Sequence, residues 1–86
     1  MPKTTTATPK PKGTFYRTVT REVRGEEYTF HAFTDARMIH VYGRGDARPE
    51  STGKPFDGDS GELIISSLVG NLLTRGTVQP GKWEVR

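Results

Sequence analysis

DSGELIISSLVGNLLTRG, residues 59–76, is where the apolar pattern of this chain becomes helical. Ile64, Ile65, Leu68, Val69, Leu72 and Leu73 recur at the spacing of a single helix face, and only Leu63 falls outside that arc. Asp59 suits the N-cap, since its carboxylate can accept from the first free backbone amides. Glu62, three residues on, completes a capping-box arrangement and puts acid at the positive helix end. Arg75 suits the negative end and Gly76 the left-handed residue that closes a helix. The back of the helix, Ser66, Ser67, Gly70, Asn71 and Thr74, is small and uncharged where a solvated face normally carries Lys and Glu. Either something covers it or it is simply exposed. The apolar run is far shorter than the ~20 residues a bilayer requires.

Working outward toward the N-terminus, the period changes from helical to two. TFYRTVTREV, EYTFHAFT and RMIHVYG read as three antiparallel strands of a meander, with turns at Arg24-Gly25 and Asp35-Ala36. Pairing Val23 with Glu26 sets Val19 opposite Phe30. Pairing Thr34 with Arg37 sets Phe30 opposite Val41 and Ala32 opposite Ile39. One face then holds Phe15, Val19, Val23, Tyr28, Phe30, Ala32, Ile39 and Val41, and this is the face expected under the helix. Parity puts Arg17 and Arg21 there too, either lying along the edge on their aliphatic stems or displaced by a bulge. After the helix, Gln79-Pro80-Gly81-Lys82 is a turn, and Trp83 to Val85 is expected as a short fourth strand or closing segment. Residues 44–58, RGDARPESTGKPFDG, read as a long Gly/Pro-rich loop pinned by Phe56. Residues 45–62 carry a local charge of −3, which repels phosphates.

The expected fold is therefore α+β: a three-stranded antiparallel meander, one packed helix and a short C-terminal strand, β-β-β-α-β, over residues 14–86. It follows a disordered basic arm of Thr, Pro and Lys at residues 1–13. The order β-β-β-α is similar to that of the DNA-binding domains at the N-termini of some transposon integrases. It is similar also to double-stranded-RNA-binding domains without their first helix. Both resemblances are of topology only, and in the integrase domains the sheet enters the major groove.

Composition narrows the function classes. With 86 residues, 31% of them hydrophobic, the chain forms one small domain near the lower limit for a self-sufficient core, so a partner or a second copy is a natural source of extra stability. The absence of cysteine removes disulfides, thiolate catalysis and cysteine-based zinc sites. No apolar N-terminal stretch suggests a signal peptide, and a cytoplasmic location is expected. The net charge of +3 belongs to the arm, because Lys3, Lys10 and Lys12 supply it and the remainder balances at ten basic and ten acidic groups.

Several short motifs are set aside. Arg44-Gly45-Asp46 matches a three-residue adhesion signal too short to be specific. Gly58-Asp59-Ser60-Gly61 matches a serine-protease signature without the chain length that fold needs. In Gly53-Lys54, Pro55 stands where a phosphate-binding loop requires Ser or Thr. Asp57, Asp59 and Glu62 lack calcium-loop spacing. His31 and His40 would be half a zinc site, or the acid and base of a small ribonuclease, with no carboxylate in view to orient either ring.

The face opposite the helix is the unusual one. The registers above line up Tyr16, Phe33 and Met38 in one row, Thr18, His31 and His40 in the next, and Thr20, Thr29 and Tyr42 in a third. Three explanations compete: good strand formers covered by the C-terminus or left partly open, a protein interface, or a platform on which single-stranded bases stack. The functional expectation is a non-enzymatic nucleic-acid-binding module for single-stranded DNA or RNA. Tyr16, Phe33 and Tyr42 stack on bases, Thr18, His31 and His40 make polar contacts, and Lys3, Lys10 and Lys12 contact phosphates. No cofactor or metal is expected. The alternative is a protein–protein interaction module or small homo-oligomer using the same face, and Trp83 is expected as a core clamp.

Overall fold

The structure, a computed structural model, describes residues 13–35, 38–52 and 61–84. Four antiparallel strands, β1 (Thr14–Val23), β2 (Glu26–Asp35), β3 (Met38–Gly43) and β4 (Asp46–Ser51), form a meander in sequential order, followed by α1 (Gly61–Arg75). Two expectations change here. The sheet has four strands because the predicted loop at 44–58 contributes β4. The segment after α1 forms a single bridge, Gly81 with Tyr28, and no strand among the described residues. The fourth strand also departs from the β-β-β-α order on which the two topological resemblances rested.

The β1–β2 hairpin is set by its turn. Arg24 and Gly25 both take positive φ (54° and 82°), the pairing of left-handed residues whose twist matches that of the strands they join. It fixes Val23 opposite Glu26 and Val19 opposite Phe30, as expected. At Tyr16 a bulge intervenes, so Phe15, and not Tyr16, lies opposite Phe33. One extra residue exchanges the faces of the two aromatics. Tyr16 packs beside the helix-side core, which corrects its expected place on the open face. The β2–β3 pairing slides two residues from the expected register, with Asp35 opposite Met38 and Ala32 opposite Val41. An even slip changes partners and leaves faces intact, so Ile39 and Val41 remain in the core.

That core is Phe30, Ala32, Ile39 and Val41 from the sheet against Ile65, Leu68, Val69 and Leu72 from α1. Leu63, outside the predicted arc, is 77% exposed. The helix stops at Gly76 (φ 80°), and its predicted cap Asp59 lies outside the described residues, as does Phe56. Ser66, Ser67, Asn71 and Thr74 are exposed, so among the described residues no element covers the small-residue back of the helix.

α1 packs on β3 and β4, and its last turn is bolted to β4. Arg75 donates to Asp46 (3.0 Å), to the Arg48 carbonyl (3.0 Å) and to Glu50, while Thr77 donates to Asp46. Burial works to raise the Asp46 pKa. The Thr77 hydroxyl, the Arg48 amide and Arg75 outweigh it and hold the carboxyl below the usual range. Asp46 of the Arg-Gly-Asp tripeptide is thus consumed by the fold. On the other side of the helix face, Arg17 pairs with Glu62 and lies over the Tyr16 ring, and Arg21 donates to Ser66 (3.2 Å). Both arginines therefore lie on the helix side, which decides between the two placements the sequence left open.

Candidate functional site

Beyond α1 the chain wraps the end of the sheet. Gln79 donates its backbone amide to the Arg44 carbonyl (2.9 Å), and Val78 lies so close to Gly43 that a Cβ there would sit 2.4 Å from its Cγ1. Only glycine leaves room for this crossing. Because β3 ends at Gly43, opposite Phe30, the edge of β2 below it is free, and Gly81 donates there to the Glu27 carbonyl (2.9 Å). Residues 82–84 emerge on the face opposite α1. We call residues 76–84 the strap.

Trp83 fastens the strap. Its indole Nε1–H donates to the Thr29 carbonyl (2.9 Å), and its own carbonyl accepts from His31 Nε2 (2.8 Å). A carbonyl only accepts, so His31 Nε2 donates to it, and Nδ1 lies at hydrogen-bond distance from the Thr18 hydroxyl (2.9 Å). His31 therefore ties β1, β2 and the strap together, with its ring edge-on to Trp83 at 4.4 Å between centroids.

Around this tie lies an open groove of about 610 Å³, lined by Phe15, Thr18, Thr20, Thr29, His31, Phe33 and strap residues Lys82, Trp83 and Glu84. Phe15 stands at one side, 53% exposed, edge-on to His31 (6.2 Å) and Phe33 (5.7 Å). Half-buried Trp83 stands at the other. Phe33 and Tyr42, expected as exposed stacking residues, are only 5% and 3% exposed and pack edge-on at 5.8 Å; Phe33 lines the groove and Tyr42 does not. The Thr29 hydroxyl oxygen is buried among these groups without a hydrogen-bond partner among the described residues. Its cost is of the order of 1–3 kcal/mol unless something supplies a partner.

The two histidines are not brought face to face. His31 is opposite Tyr42, and His40 is opposite Phe33. His40 Nδ1 is 2.6 Å from the Ser51 hydroxyl, and its buried Nε2 lies 3.9 Å from the Asp35 carboxylate with no hydrogen bond among the described residues. No cluster of His, Asp and Glu with metal-holding geometry exists among the described residues. Lys3, Lys10 and Lys12 lie outside the described residues. Gly13, which follows them, abuts the Thr34 carbonyl at the Phe15 end of β1. Of the expected contact residues, then, Thr18, His31 and Phe33 meet at one groove and Tyr16 is on the other side of the sheet. Phe15 and Trp83 were missed as site residues. Phe15 is legible only once the bulge is known, and no local signal in Lys82-Trp83-Glu84 points to a groove on β1 and β2.

No family model, curated protein or solved structure matches this chain.

Proposed function

We propose that the protein is a non-enzymatic nucleic-acid-binding module that seats single-stranded bases in the groove between Phe15 and Trp83. The observation that carries this reading is the placement of two accessible rings on either side of one largely apolar groove. Stacking on such a ring contributes about 1–3 kcal/mol per base and tolerates any sequence. The groove volume falls within the ~300–1,000 Å³ typical of small-ligand sites. This admits a short stretch of bases in place of the three-row platform expected from sequence. Thr20 offers a hydroxyl at the groove, Thr18 is engaged with His31, Phe33 lines the floor with Tyr42 packed against it, and His40 lies opposite Phe33 on β3. The groove itself is close to neutral, with Lys82 balanced by Glu84. Phosphate attraction falls to Lys3, Lys10 and Lys12, whose arm joins β1 at the Phe15 end.

The test is fluorescence anisotropy of labelled single-stranded DNA and RNA at low and moderate salt. Removal of residues 1–12 should weaken binding and flatten its salt dependence. Phe15→Ala with Trp83→Ala should abolish it. Binding that ignores both ring substitutions and vanishes with the arm reduces the protein to a polycationic tail. The balanced Lys82–Glu84 rim favours a second reading, a protein-interaction module whose groove takes a partner's aromatic side chain. No binding to either nucleic acid would leave that reading in place.

A further inference from the structure

We propose that the outer edge of β1 accepts an extended acidic peptide as a fifth strand, on a surface separate from the groove. β1 ends the strand order, and among the described residues no segment pairs with its outer side. A sheet edge offers a row of unused amides and carbonyls, and proteins usually blunt it. The opposite edge is blunted. β4 carries Pro49, which has no amide to donate, and its pairing with β3 is broken by an irregularity between Val41 and Gly43. On β1 the only irregularity is the bulge at Tyr16, and from Arg17 to Val23 the strand runs in unbroken register.

The side chains along that run specify the guest. Arg17, Val19 and Arg21 alternate on the helix side. Because α1 sits over β3 and β4, they border a shallow trough of about 180 Å³ shared with Glu62, Ile65 and Ser66. An added strand places its own alternate residues opposite these, so the complementary pattern is acid, apolar, acid at every second position. The Arg17–Glu62 pair joins two well-exposed side chains, a contact that yields readily to a competing carboxylate. A second copy of β1 is a poor guest. In any two-fold antiparallel pairing that overlaps these runs with both helices on one face, an arginine lies opposite or diagonal to an arginine of the other chain, and like charges so placed destabilise a pair.

The test titrates the full-length protein with a capped peptide, Thr-Glu-Thr-Val-Thr-Glu-Thr, and with its counterpart carrying lysine for glutamate. Heteronuclear shifts and amide exchange are followed residue by residue. The acidic peptide should bind, slow exchange at alternate amides between Arg17 and Val23, lose affinity with rising salt, and exceed the basic peptide by at least tenfold. Arg17→Glu with Arg21→Glu should reverse that preference, and Phe15→Ala with Trp83→Ala should leave it unchanged. Equal affinity for the two peptides, salt-insensitive binding, or protection confined to β4 or the groove would each overturn the proposal. So would a free protein that sediments as a dimer with these β1 amides already protected. If the double charge reversal fails to fold, the salt series and the exchange map on the native chain decide.

Discussion

The two faces of this sheet are closed by different physics. Toward α1, Phe30, Ile39, Val41, Ile65, Val69 and Leu72 interlock with at most 2% exposure, and closure is a matter of apolar area. Toward the strap, closure rests on two hydrogen bonds from Trp83 and His31 and on ring edges, leaving an open groove beside Phe15. The first face resists substitution because every atom has neighbours. The second is held at a few points, each of which can be removed alone. A face closed by area carries stability; a face closed by fastenings retains surface for a ligand.

The sharpest way to break this contrast is Leu72→Ala. It should cost about 3–4 kcal/mol in denaturant unfolding, a large part of what a domain of this size possesses. A loss comparable to that of a surface substitution would mean that α1 is not the main closure. Arg75→Ala follows at about 2–3 kcal/mol, because it strands Asp46 and Glu50 without their cation. pH offers the same measurement without mutation. Asp46 has its pKa lowered by folding, so its contribution is complete above the unfolded carboxylate pKa, about 4, and fades as pH falls through the folded value. Asp46→Asn should therefore be less stable than the native chain at neutral pH, and the difference should shrink in acid. A gap that widens in acid would contradict the assignment.

Trp83→Ala comes next, at about 1–2 kcal/mol for one indole hydrogen bond and its ring contacts. Proteolysis of the freed strap should accelerate while the core unfolding transition stays cooperative. Phe15→Ala is the smallest, under about 0.5 kcal/mol, since its ring is half exposed. It should nevertheless remove most binding at the groove. If Phe15→Ala destabilised the fold as much as Leu72→Ala, the distinction between the two faces would collapse.

What the sequence disclosed follows the same division. The helix was legible from an arc of apolar residues with Leu63 left out, and the β1–β2 register from a two-residue turn rich in φ freedom. Parity alone sorted Ile39 and Val41 to the core even though the β2–β3 pairing was two residues off. Physics that acts over a few residues is written locally. β4 was hidden because Asp46 to Ser51 has Pro49, alternating charges and almost no apolar content, and is held as a strand by the Arg75 cluster reached from α1. Adjacent aromatics concealed the bulge: with Phe15 and Tyr16 side by side, either parity presents a ring to each face. Trp83 was expected as a core clamp and instead lies half-buried beside the groove, because its seat on Thr29 and His31 depends on contacts 54 and 52 residues distant in the chain.

Those long separations carry a kinetic consequence. β hairpins close over short loops, whereas the strap returns to β2 across a separation of 52 to 54 residues, so its attachment is the natural candidate for the first sub-global opening of the native state. A ligand seated on Trp83 would then be linked to that opening: saturation at a hundred times its dissociation constant would suppress strap release by about 2.7 kcal/mol while leaving the rest of the sheet untouched. The groove would report occupancy as a change in the lifetime of the closed strap, with no rearrangement of the core.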